Sequence, residues 1–280
     1  MSLDQPKDND SEEKKEMTFF DHIDELRGHL FRSVVAILIA GVTAFLNKHI
    51  LFDIIIFGPM RIDFLSYRVL CKLSYWAKGT DEFCMKSINF ELKNIDMTGQ
   101  FTQHLWIAFI AGIIIAFPYI LWQLWSFIKP ALSKKEISYA RGLVFFSSML
   151  FFAGIGFGYF FLSPVSITFM GSYQVSELVN NEINLESYIS FISTITMACG
   201  LMFEMPILVY FLVKIGILSA KIMSKYRKHA LVIILIVAGI LTPSPDMASQ
   251  ILMAIPLYAL FESSIFVARR VEKNKSKSKI

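Results

Sequence analysis

Glu204 is the only charged residue in the apolar stretch 187–213. A carboxylate at mid-membrane costs about 2.5–3.5 kcal/mol on insertion scales. It must therefore face a helix bundle, a partner or a wet cavity, or be protonated. A plain hydrogen bond between helices is the structural alternative. Pro206, two residues on, predicts a kink there. Two further acids sit at the edges of apolar stretches. Glu25 lies in Phe19-Phe20-Asp21-His22-Ile23-Asp24-Glu25-Leu26-Arg27, where Phe20, Ile23 and Leu26 have the spacing of an amphipathic interfacial helix. Glu136 is the only acid in 129–141, among four basic residues. Ordinary roles exist for both: a solvated acidic turn favourable to the helix dipole for Glu25, and pairing with Lys134 or Arg141 for Glu136. No catalytic constellation accompanies these acids. The five histidines (22, 29, 49, 104, 229) are scattered, and no phosphate-binding loop, Gly-x-Ser-x-Gly or His-Glu-x-x-His run is present. Neither an enzyme, a cofactor nor a metal site is expected.

The elements that must carry these residues follow from composition. Of 280 residues, 55% are hydrophobic and only 18% charged. The apolar residues come in long blocks, which excludes an ordinary soluble domain, a disordered chain and an alternating outer-membrane barrel. A spanning helix needs about 20 mostly apolar residues. Six stretches qualify or nearly so: 30–46, 97–128, 142–164, 187–213, 229–241 and 247–268. Pro118 should kink the second, and Trp122 and Trp125 suit an aromatic belt at its end. The fifth would rise only about 20 Å, short of the roughly 30 Å hydrocarbon core. It is joined to the sixth by the short turn Thr242-Pro243-Ser244-Pro245-Asp246, which makes them an antiparallel hairpin. Asp246 suits the N-cap of the sixth helix, and Gln250, one turn on, can reach another helix.

Six spans put both termini on one side. With the N-terminus inside, 20 of the 27 Lys and Arg fall in inside segments, and the other seven all lie in the outside loop 47–96. The positive-inside rule therefore predicts an N-in, C-in topology. The net charge of +4 is mild and implies no nucleic-acid partner. The N-terminal residues 1–16 read as a retained polar tail, 17–268 as the membrane domain, and 269–280 as a basic tail. Within the outside loop, 50–60 reads as an amphipathic or interfacial element ended by Gly58-Pro59. Cys71 and Cys84 face an oxidising compartment, where they are either bridged or two free thiols.

Four clusters in order resemble the TatC family, the large polytopic subunit of the twin-arginine protein translocase. They are His22-Ile23-Asp24-Glu25-Leu26-Arg27; the Trp-x-Phe-x-x-Pro-Ala-Leu-x-x-x-Glu run from Trp125 to Glu136; Phe203-Glu204-Met205-Pro206; and the Leu-Thr-Pro block from Leu241 to Glu262. The resemblance covers roughly residues 17–268. It departs from the family in a longer first outside loop, a longer N-terminal tail and one extra residue in the Pro-Ser-Pro-Asp turn.

The resemblance implies an all-α fold: a concave bundle of six transmembrane helices with short fifth and sixth helices, in the bacterial inner membrane. It implies a receptor for the twin-arginine signal peptides of folded cargo, drawing on the proton-motive force and assembling with single-span TatA/TatB-type subunits in an oligomeric complex in the lipid bilayer. By position, Glu25 and Glu136 match the family's recognition acids, with Arg27 orienting Glu25 and Phe127 lining the site. Glu204 and Gln250 match intramembrane positions that contact partners. Pro59, Tyr159 and Asp246 match positions of architectural weight. The competing reading is a proton-coupled small-solute transporter using Glu204 as carrier. The lack of internal repeats counts against it.

Overall fold

The first expected span and the amphipathic segment before it form a single helix, α1 (Phe19–Leu46). No proline interrupts it, and Gly28 is surrounded by open space, so nothing ends the helix between the two. The computed structural model of the chain describes residues 19–78, 91–128, 140–172, 176, 181–241 and 247–277. Helix α1 packs antiparallel on α3 (Gly99–Ile128), with His29 opposite Gln123 and Phe45 opposite His104. The two backbones nearly touch at Gly41 and Gly112. A Cβ on Gly112 would lie 2.7 Å from the Ile37 carbonyl oxygen and 2.9 Å from the Gly41 Cα. Small residues permit this approach where no hydrophobic effect drives helices together. Helix α3 runs unbroken through Pro118.

Between them, a π turn (Ile50–Ile56) buries Leu51, Phe52 and Ile56. A 3-10 turn (Gly58–Met60) with Pro59 at its start follows, then helix α2 (Leu65–Lys78). Three tyrosine hydroxyls bind carbonyls of this cap. Tyr67 donates to Pro59 at 2.8 Å, Tyr159 to Ile55 at 2.5 Å and Tyr188 to Ile56 at 3.0 Å. Irregular turns leave such carbonyls without helical partners, so the hydroxyls supply the missing bonds. Tyr159→Phe is expected to lower stability by about 1 kcal/mol, read as a lower unfolding temperature in detergent. An unchanged temperature would mean that the Ile55 carbonyl finds another donor.

Two short strands, β1 (Glu91–Lys93) and β2 (Glu182–Asn184), pair in parallel with Leu92 opposite Ile183. Nothing in the sequence pattern announced them, because three residues carry no alternation. Lys93 and Glu182 form an ion pair across the strands. The Glu182 carboxylate raises the Lys93 pKa. The pair therefore contributes below the usual lysine range and is lost only as pH rises through the higher folded value.

The third span does not end near Pro164. Helix α4 (Ala140–Phe157) passes through a π turn (Gly158–Leu162) into α5 (Ser163–Ser172). Pro164 lies at the second position of α5, where its missing N–H costs little. The Ser163 hydroxyl donates to the Gly158 carbonyl at 2.9 Å. The fourth span is two helices, α6 (Leu185–Phe203) and α7 (Met205–Ile215), broken at Glu204. Pro206 is the cause, as expected: it has no N–H and stands in the first turn of α7. Helix α7 ends at Gly216, whose φ of 96° is left-handed.

A short helix α8 (Ala220–Lys225) precedes α9 (Arg227–Leu241) and α10 (Met247–Lys277). Helix α9 has 15 residues and rises about 22 Å, so the fifth helix is short as expected. The sixth is not: α10 has 31 residues and continues past 268. Its extension is docked on α8, where Glu272 accepts from the Ala220 N–H at 2.9 Å and Arg269 donates to the Ser224 hydroxyl at 3.3 Å. Among the described residues, buried side chains form three clusters. One joins the π turn 50–56 to α3 and α6, one joins α6 to α9 and α10, and one joins α7 and α8 to α10. Among the described residues, four helical stretches are long and apolar enough to cross a membrane: Ile23–Leu46, Gly99–Ile128, Gly142–Gly171 and Leu185–Ile215.

Candidate functional site

Two regions gather the residues singled out in the sequence. The first is the end of the α1–α3 pair nearest the N-terminus. His29 Nδ1 lies 2.5 Å from Gln123 Oε1, and its ring meets Phe127 edge-on at 6.3 Å. Glu25 is one turn before His29, so it shares that helix face. The antiparallel register of α1 on α3 sets Glu25 level with Phe127. Both are half-buried. Arg27 is exposed. Two residues along a helix is a rotation of about 200°, so Arg27 lies on a different side of α1 from Glu25. His29 and Gln123 meet across the two helices one turn from Glu25. Their signal was legible: His29 stands four residues after Glu25, and Gln123 is polar inside a stretch without charges. Glu136 lies outside the described residues.

The second region is the break between α6 and α7. Glu204 is 8% exposed and accepts a hydrogen bond from the Ser147 hydroxyl of α4. Its other oxygen, Oε1, is buried without a hydrogen-bond partner among the described residues, as is the indole nitrogen of Trp125. Trp125 packs edge-on against Phe211 of α7 at 5.7 Å. Helices α4 and α6 pack closely ahead of this break: a Cβ on Gly154 would lie 2.6 Å from the Cys199 carbonyl oxygen and 2.8 Å from Phe203. Ser147→Ala is expected to destabilise by about 2 kcal/mol, because it leaves a buried carboxylate unbonded. Ser147→Ala combined with Glu204→Leu should recover most of that loss, since an apolar replacement needs no partner. Unfolding temperatures of the three proteins in detergent decide the matter, and a double variant no better than Ser147→Ala would refute it.

Gln250 is half-buried and donates from Nε2 to the Leu235 carbonyl at 2.8 Å. It thus staples the α9–α10 hairpin, the interhelical bond its position suggested. Arg227 and Glu262 join the same two helices at the other end as an ion pair. Pro59 and Tyr159 belong to the tyrosine-bound cap. Asp246 lies outside the described residues. Cys71 is disulfide-bonded, Cys199 is free and buried, and Cys84 lies outside the described residues. Among the described residues no group of three or more His, Cys, Asp or Glu could hold a metal ion.

This arrangement has close counterparts. The family model described as Sec-independent protein translocase protein (TatC) matches residues 21–256. The Sec-independent protein translocase protein TatC of Blattabacterium sp. subsp. Periplaneta americana is 42% identical over 94% of this chain and 99% of its own length. That of Carboxydothermus hydrogenoformans is 35% identical over 93% of this chain and 96% of its own. A crystal structure of the twin-arginine translocase receptor TatC in DDM superposes with a TM-score of 0.69 at 32% identity, covering 88% of this chain and 99% of that one. A match this complete in sequence and fold places the chain in the TatC family of Sec-independent protein translocases.

Proposed function

We propose that this chain is the membrane receptor and core subunit of a twin-arginine translocase. It binds the twin-arginine signal peptides of folded proteins for export and carries out no chemistry on them. The observation that carries this reading is Glu25, half-buried at the end of α1 and held level with Phe127 by the His29–Gln123 contact. Likeness to a twin-arginine translocase receptor over most of the chain supports it. Nothing at Glu204 favours a small-solute carrier: it is buried and bonded to Ser147 within the bundle.

In this reading six helices cross a bacterial inner membrane with both termini in the cytoplasm. The four long apolar helices and the α9–α10 hairpin supply them. Glu25 and Glu136 then share the cytoplasmic face and offer two carboxylates to two guanidinium groups. Arginine forms two parallel hydrogen bonds to a carboxylate; lysine keeps the charge and loses that fork. Phe127 supplies an apolar wall beside them. Glu204, with one oxygen unbonded among the described residues, and Gln250 are the intramembrane contacts for single-span TatA/TatB-type partners in an oligomeric complex. Transport draws on the proton-motive force. The disulfide of Cys71 closes on Cys84 on the outer side.

Export of a twin-arginine reporter in cells lacking their own TatC tests this reading. The chain, supplied with its TatA/TatB-type partners, should restore export, and Glu204→Ala should reduce it without loss of the protein from the membrane. Full export by a Glu25→Ala, Glu136→Ala double variant would sink the receptor assignment.

A further inference from the structure

A second polar site lies at the opposite end of the α1–α3 pair, about 20 residues along each helix from Glu25 and Phe127. A bowl of about 540 Å³ opens between the end of α1, the π turn 50–56, β1 and the start of α3. That volume is in the range of small-ligand sites. Its apolar wall is aromatic. The His104 ring stacks on Phe45 at 4.0 Å and meets Phe52 edge-on at 5.3 Å. His104 is fixed there by a 3.1 Å contact between Nε2 and the Phe45 carbonyl. Phe101 lines the bowl one turn earlier. Its rim carries one charge of each sign, Lys48 and Asp53. Lys48 is exposed and has no ion-pair partner among the described residues. Asp53 is also exposed, and among the described residues its one ion-pair partner is His49, at 3.7 Å.

The bowl sits where two membrane-crossing stretches, Ile23–Leu46 and Gly99–Ile128, end and begin. That is the depth of the lipid headgroups on the side opposite the N-terminus. We propose that it binds the headgroup of a zwitterionic phospholipid of the phosphoethanolamine class. Lys48 takes the phosphate. Asp53 takes the ammonium, which also lies against the aromatic wall, a surface that attracts cations through its ring quadrupoles. One positive and one negative group match a zwitterion. A headgroup with only the phosphate charge would satisfy Lys48 and leave Asp53 unanswered. The site does not depend on the receptor reading. It requires only that the chain crosses a bilayer.

The test is native mass spectrometry of the full chain, released from vesicles of equal phosphatidylethanolamine and phosphatidylglycerol. The wild type should retain phosphatidylethanolamine about fivefold over phosphatidylglycerol. Asp53→Asn should bring that ratio close to one, and Lys48→Gln should lower retention of both lipids. Both positions are exposed, and unfolding temperatures would verify that the variants remain folded. Equal retention of the two lipids by the wild type, or an unchanged ratio in Asp53→Asn, would overturn the proposal.

Discussion

Glu25→Gln and Glu136→Gln are each expected to weaken binding of a twin-arginine peptide about 30-fold, and together about a thousandfold. Each substitution keeps the size of the side chain and removes one charge-assisted contact, about 2 kcal/mol. Glutamine also turns an N–H donor toward a group that only donates, so the forked geometry is lost as well. The combined figure assumes that the two carboxylates act independently, one per guanidinium. Titration of a labelled peptide against the purified chain gives the three constants. Circular dichroism separates lost binding from lost fold. Glu25 is only half-buried, so its replacement should leave the helix intact. A double variant that binds as the wild type does would remove both residues from the site.

Gly112→Val has the largest expected effect on the fold. The new side chain would begin 2.7 Å from the Ile37 carbonyl oxygen and 2.9 Å from the Gly41 Cα and N. These are backbone atoms of α1 and cannot swing aside. The helices must separate, at a cost of about 3 kcal/mol or more. Separation would also carry Glu25 and His29 away from Gln123 and Phe127, so peptide binding should fall with stability. Gly156→Ala is the matched control. A Cβ there meets nothing within 4 Å, and alanine is the better helix former by up to about 1 kcal/mol. Gel filtration in detergent and the unfolding temperature should show Gly112→Val damaged and Gly156→Ala as stable as the wild type. Equal behaviour of the two would mean that α1 and α3 do not pack through these glycines.

The long apolar blocks made the membrane helices legible, and the prolines marked most of their irregularities. Pro206 announced the break at Glu204, because a missing N–H in the middle of a span must end one helix and start another. Pro164 misled for the same reason. A π turn runs directly into the helix that holds it, so the helical path continues to Ser172. Whether a proline ends a helix depends on neighbours that local pattern does not weigh. Glu25 and Glu204 were visible as acids in or beside apolar runs. The pairings around them were not: the partners of His29, Gln123 and Ser147 are set by register between helices far apart in sequence. The β1–β2 pair was silent for a similar reason, since its strands lie about 90 residues apart and are too short to show a period. Arg27 was assigned to Glu25 by the family resemblance, and the helix sets the two on different faces.

Binding of a twin-arginine signal peptide to the purified full chain, compared with the same peptide carrying two lysines, tests the central claim most directly. Charge is equal in the two peptides, so any difference reports the forked contact with carboxylates. A receptor built on Glu25 and Glu136 should prefer arginine by about tenfold or more. It should lose that preference in the double glutamine variant. Equal affinity for the two peptides in a folded sample, with wild type and variant alike, would contradict it.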